Sequence, residues 1–386
     1  MNTRIAIAAA CVAALASLAL VTPAPAAGSP LSFVRVSTIA DDLVTPLSLA
    51  VDATGNSYVS QNFIGVLTKI TPEGTQTTVA TVAPGVEVAA VSSFGDTVYF
   101  VQGSQPAGSF DLLFSPRGQA AEYLADLGGY EKSQNPDQVN TYGFTDLDEE
   151  CIAQIPEGPR ARLARYTGPV DTNVYGTTAT EHGVYVADAG GNDILRVGYD
   201  GSISTVAVLP PTPPFEVTPE LAERFGFPAC VVGHGYRFEP VPTDVELGPD
   251  GWLYVTSLPG GPEDPGLGAR GAVLKVDPWT GEVKTVATGF AGATNLAVER
   301  NTGAILVTEL FGGPEGTGQI SMFLPGQDMA FASVPVRSPA AIELRGGTVY
   351  VTHDAFVLGE MGPAPIGKLT TFSLRGTSHI WDSVLG

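Results

Sequence analysis

Polar side chains recur at one register of this 386-residue sequence. Two residues beyond each of a series of Val-like positions stand Gln61, Gln102, Asp188, Ser257, Glu309 and His353. In the apolar segment before each of them, the matching positions hold Ser48, Glu87, Gly176, Asp244, Asn295 and Ala341. Carboxylate and amide oxygens in this number suit a hard cation such as calcium, which takes oxygen ligands. The candidate metal ligands are Glu87, Asp188, Asp244, Asn295 and Glu309, with His353 as the catalytic base of a calcium-assisted hydrolase or lyase. The same residues have a simpler structural use, because Asp and Ser at the end of a strand cap the backbone of the turn that follows, as in Asp188-Ala189-Gly190-Gly191-Asn192. His234, in Gly233-His234-Gly235-Tyr236, joins the candidate ligand face. His182 and His379 read as solvated, and the acidic run Asp146, Asp148, Glu149, Glu150 reads as a solvated loop, calcium binding being the lesser alternative.

Local catalytic signatures are otherwise missing: no G-x-S-x-G, H-E-x-x-H, phosphate-binding P-loop or EF-hand pattern occurs. Gly266-Leu267-Gly268-Ala269-Arg270-Gly271 matches G-x-G-x-x-G, but it leads into a strand, whereas a dinucleotide loop must open a helix.

The polar positions are tied to a repeat. Tyr58-Val59, Tyr99-Phe100, Tyr185-Val186, Tyr254-Val255, Leu306-Val307 and Tyr350-Val351 each follow a short Gly/Asp turn, such as Gly248-Pro249-Asp250-Gly251, and an apolar strand. Further strands and another Gly turn follow each pair. Four short strands in a unit of about 40 residues, repeated six times, predict an all-β, six-bladed β-propeller. The sixth unit lacks an outer strand, and the N-terminal segment Ser32–Ala40 is expected to close it, the tail Thr377–Leu385 being the alternative.

Strands A to D run outward in each blade, so the A–B and C–D turns lie on one face and the B–C and D–A connections on the other. Every long insertion falls on the second face: Gln102–Ser109, Leu258–Gly271, Leu310–Thr317 and Asp354–Ile366 between B and C, and residues 128–171 and 210–241 between D and A. Loops on a rigid scaffold carry function, so this is the expected ligand face. Cys151 and Cys230 lie in the two D–A insertions and are predicted to form a disulfide that ties them into a lid. Thr218–Phe225 reads as a short helix with Thr218 as N-cap and Pro219 in the first turn.

Residues 1–27 read as a secretory signal peptide, with Arg4, an apolar run from Ile5 to Val21 and a small-residue ending at Ala26-Ala27. Cleavage removes Cys11 and leaves residues 28–386 as a single exported propeller domain with no membrane anchor, expected to be a monomer. A formal charge of −21, from 19 Lys+Arg against 40 Asp+Glu, argues against a nucleic-acid binder and disfavours anionic lipid.

The segments Leu124-Ala125-Asp126-Leu127, Tyr130-Glu131 and Asn135-Pro136-Asp137, then Tyr185 to Val197, then Val241-Pro242-Thr243-Asp244-Val245 before Gly248-Pro249-Asp250-Gly251, resemble the ScyD/ScyE family of secreted bacterial propellers. The similarity spans roughly Thr45 to Leu310. The resemblance implies a secreted propeller associated, by gene context, with biosynthesis of the sunscreen pigment scytonemin, and it supplies no catalytic residues. The cysteine-bearing insertion after Asn135-Pro136-Asp137 and the segment Leu258–Pro265 depart from that family's pattern. More distantly, the architecture looks like gluconolactonases and streptogramin lyases, an analogy of fold. The expected function is an exported binding scaffold for a small molecule, glycan or protein, the alternative being a calcium-assisted hydrolase, lactonase or lyase.

Overall fold

The computed structural model describes residues 34–373 except 118, 325, 328, 360 and 361. The expected signal peptide, the tail and His379 lie outside the described residues.

The chain folds as a β-propeller of four-stranded antiparallel sheets. Inner strands Pro46–Val51, Glu87–Phe94, Val174–Thr180, Pro242–Leu247, Ala293–Val298 and Ile342–Arg345 each begin a sheet whose remaining strands follow outward. Each inner strand packs against the next, and the last returns to the first, so the series closes on itself.

Alternation along each strand explains the stacking. In the third sheet Val184 and Val186 point toward Val101 and Leu112 of the second, while Tyr185 and Ala187 point toward Val245 and Val255 of the fourth. A strand with both faces buried needs apolar residues at every position, and the segment Gly183-Val184-Tyr185-Val186-Ala187 supplies them.

The N-terminal strand closes the last sheet. Val34–Val44 pairs antiparallel with Pro365–Ser373, with Thr38 opposite Thr370 and Leu43 opposite Gly367. Joining the ends of the chain in one sheet covers an edge that an open array would expose. The second sheet departs from expectation. Its strands Thr97–Ser104 and Ser109–Pro116 stay paired to their ends, so Gln102 sits inside the ladder opposite Asp111, and the expected insertion shrinks to the turn Gln105–Gly108.

The two D–A insertions build a lid. The first carries helices α1 (Leu127–Gln134), α2 (Glu149–Gln154) and α3 (Glu157–Leu163), and the second carries α4 (Pro219–Phe225). Thr218 caps α4 through Leu221 N at 3.3 Å, and Gly226 ends it in the left-handed region. The acidic run is exposed, as expected, with Asp146 and Asp148 outside the helix; Asp148 accepts from Cys151 N at 2.8 Å and caps α2, whose first turn holds Glu149 and Glu150, where helix partial charge favours them. Strands Tyr166–Thr167 and Thr141–Phe144 of one insertion join Gly235–Arg237 and Phe215–Glu216 of the other in a separate four-stranded sheet. Cys151 and Cys230 are disulfide-bonded, with Cα atoms 5.7 Å apart, above a small core that includes Phe144, Leu221, Val231 and Phe238. No helix among the described residues is long and apolar enough to cross a membrane.

Candidate functional site

Around the propeller axis, several polar side chains of the inner strands hold the next sheet in register. Ser48 Oγ accepts from Val91 N at 3.0 Å, Asp244 Oδ2 from Leu296 N at 3.1 Å, and Asn295 Oδ1 from Ile342 N at 2.8 Å. Each bond runs from one inner strand to its neighbour, and backbone donors that face another sheet thereby gain a partner. The equivalent position in the third sheet is Gly176 because the neighbouring backbone is too close for a side chain: a methyl there would stand 2.5 Å from Asp244 Cα.

The polar residues that follow the repeated Val are also engaged. Gln61 accepts from Val44 N at 2.8 Å and donates to Thr68 Oγ1 at 2.9 Å, tying the closing strand to the first sheet. Gln102 donates to Asp111 at 3.3 Å. Asp188 Oδ1 accepts from Asn173 N, Gly190 N and Gly191 N at 2.8, 3.0 and 3.1 Å. Ser257 Oγ donates to the Pro240 carbonyl. Glu309 Oε2 accepts from Ala291 N at 2.8 Å, while its Oε1 accepts from Gln319 Nε2 at 2.8 Å and from Ser321 Oγ.

Glu87, half-buried at its strand start, is raised by desolvation. These oxygens are splayed among different sheets, and no three Asp, Glu, His or Cys side chains among the described residues converge to hold a metal. The turn-capping use of strand-end polar residues matches the bonds that Asp188 accepts from Asn173, Gly190 and Gly191.

His353 Nε2 meets Thr370 Oγ1 at 2.8 Å, and its Nδ1 lies 3.3 Å from Asp354 Oδ2. Burial lowers its pKa against the pull of Asp354. Arg337 and Lys368 also pair with Asp354. His234 belongs to the lid, its Nδ1 3.1 Å from Asp146 Oδ2. His182 lies on the opposite, short-turn face and packs edge-on against Trp279.

Asp244 and Glu246 of the inner strand Pro242–Leu247 and Glu343 of Ile342–Arg345 act on one another electrostatically. Desolvation raises Asp244 to about 7 and Glu343 to about 8, and Glu246 is raised as well. Arg300 and Arg345 oppose the rise at Glu343.

Sequence reasoning missed a second group, off the axis between α1 and the third sheet. Glu131 of α1 is 2% exposed, and Asp137, Asp188 and Asp193 are 0%, 1% and 1% exposed. Asp137 Oδ2 accepts from Asn192 Nδ2 at 2.9 Å and from Tyr142 OH at 3.2 Å, while Glu131 Oε1 accepts from Asp171 N at 3.3 Å. Asp193 stands directly across the ladder from Asp188, and neither of its oxygens meets a hydrogen-bond donor among the described residues. Burial raises Glu131 to about 8 and Asp137 and Asp188 to about 6; burial and the three neighbouring acids raise Asp193 well above the carboxylate range. The signal was present in the sequence: these acids occupy the segments Tyr130-Glu131, Asn135-Pro136-Asp137 and Asp188 to Asp193, far apart in the chain but together here.

No protein-family model and no curated protein matches the chain. Among solved structures it is similar to a luciferin-regenerating enzyme, at 11% identity and a TM-score of 0.52 over 89% of this chain and 96% of that one. It is also similar to regucalcin, a calcium-binding protein from Agrobacterium tumefaciens, at 13% identity and a TM-score of 0.50 over 89% and 94%. A protein of unknown function from Bacteroides thetaiotaomicron matches at 12% identity and a TM-score of 0.50 over 88% and 75%. At these identities the likeness is one of fold.

Proposed function

We propose that this chain is an exported, six-bladed propeller of the ScyD/ScyE type that binds a small molecule, glycan or protein on its lid-bearing face. One observation carries the reading: the axial polar ring is engaged with backbone donors and neighbouring side chains, whereas both large insertions are built into a disulfide-tied, four-stranded lid. Phe63, Ile64, Val139 and Val170 remain exposed in connections belonging to that face, and Tyr175 is exposed at the start of the inner strand Val174–Thr180, giving a ligand apolar surface beside polar groups. The disulfide supports export, because such bonds persist in oxidising compartments.

Glycan and small-molecule panels, screened by calorimetry and mapped by hydrogen exchange, test this reading. Protection confined to the lid and to segments 62–64 and 170–175 supports it; protection confined to the short-turn face sinks it. Mass spectrometry of the secreted protein should find a new terminus near Ala26 or Ala27.

A second reading, a calcium-assisted hydrolase, lactonase or lyase, draws on the His353–Asp354 pair, which has the form of a base with its orienting acid. Lactone or ester turnover that requires calcium and vanishes in His353→Gln would favour it over pure binding.

A further inference from the structure

We propose that the hollow between helix α1 and the third sheet is a divalent-cation site of the calcium type, held by Glu131, Asp188 and Asp193 and distinct from the propeller axis. Buried carboxylates persist in proteins when they are paired, hydrogen-bonded or bound to a cation. Among the described residues no Lys, Arg or His forms an ion pair with Glu131, Asp137, Asp188 or Asp193. Asp188 and Asp193 are moreover directly opposed cross-strand partners, an arrangement that repels when both are charged.

The second observation is geometric. Asp193 is 1% exposed with both oxygens lacking a hydrogen-bond donor, and Asp137, at 0%, has Oδ1 in the same condition. Alternation in the third sheet puts Asp188 and Asp193 on the side of Val184, Val186 and Leu195, which faces the second sheet and α1. Gly191 lies beside Glu131 and Asp188: a methyl built on it would stand 3.4 Å from Glu131 Oε2 and 3.5 Å from Asp188 Oδ2. Two carboxylates thus look onto one hollow, with Asp193 across the ladder and Asp137 adjoining through Asn192.

All the donors are oxygens, and their charge exceeds that of one divalent ion, which selects a hard cation over a soft one. The carboxylates do not yet close on a common point. Uptake would draw Asp193 and Glu131 inward by side-chain rotation and would bind α1, at the root of the lid, to the third sheet.

The test uses the full exported protein stripped with a chelator, with calcium and terbium as probes. Calcium should raise the thermal midpoint by several degrees, because binding to the folded state alone stabilises it by mass action. Terbium should acquire luminescence sensitised by Tyr142, whose hydroxyl donates to Asp137, and calcium should quench it by displacement. Asp193→Asn and Glu131→Gln should each abolish both effects while melting, without calcium, no lower than the parent, since each puts a neutral side chain of the same shape where burial and the neighbouring acids already disfavour the charged carboxylate. Asp244→Asn, in the channel, should retain both effects. An unchanged midpoint with no terbium signal in the parent overturns the proposal, as do effects that survive in Asp193→Asn and Glu131→Gln or that disappear only in Asp244→Asn.

Discussion

Replacing both Cys151 and Cys230 by Ala should loosen the lid and leave the propeller intact. The two residues are 79 apart in sequence, but the third sheet, folded between them, already brings the roots of both insertions together. What the bond restrains is therefore the chain between each cysteine and that sheet, roughly 40 residues in all, for which the loop-entropy relation gives about 4 kcal/mol at 25 °C. The other ties between the insertions are the two-residue strand pairing of the lid sheet, bonds such as Tyr236 OH to the Arg162 carbonyl, and the lid core. A change of about 4 kcal/mol in the opening equilibrium corresponds to roughly a thousandfold loss of amide protection. Hydrogen exchange should show it in Thr141–Phe144 and Gly235–Arg237, which form the centre of the lid sheet, while Gly183–Asp188 keeps its protection. Lid amides that change by less than about tenfold would show that packing, and not the disulfide, closes the lid. Loss of protection in the third sheet in step with the lid would refute the independence of the two units.

The inner ring gives further outcomes. Gly176→Ala places a methyl 2.5 Å from Asp244 Cα and should cost about 3 kcal/mol in urea denaturation, since backbone must move to admit it. Asp244→Ala and Ser48→Ala strand the Leu296 and Val91 amides and should each cost about 1–3 kcal/mol, whereas Asp244→Asn keeps its acceptor and should be nearly neutral. The channel acids set a pH dependence. Asp244 is raised to about 7 and Glu343 to about 8, chiefly by burial, so between the unfolded carboxylate value near 4 and these values the folded chain holds more protons than the unfolded one. Stability from these groups is full below that window and falls as pH rises through it; melting curves from pH 4 to pH 8 should show the decline, and Asp244→Asn should flatten it.

The repeated Tyr-Val pair, the Gly turns and the period of the strands were enough to specify the scaffold, because each sheet is built from local hairpins whose alternation is written in consecutive residues. The same economy made the closing strand legible, since a sixth unit with a missing strand leaves an edge that the N-terminal segment can cover. Cysteine placement in two neighbouring insertions pointed to the disulfide by topology alone. Tertiary structure decided what the polar residues do. Asp244 and Asn295 were plausible metal ligands by type, but each faces the amide of the adjacent inner strand, a partner about 50 residues away that no local pattern identifies. The lid sheet escaped detection because its strands are two to four residues long, too short for a period to register. Glu131, Asp137 and Asp193 were ordinary acids in the chain and became unusual only when α1 folded back on the third sheet and took them out of water, because burial, unlike residue type, is a property of the whole fold.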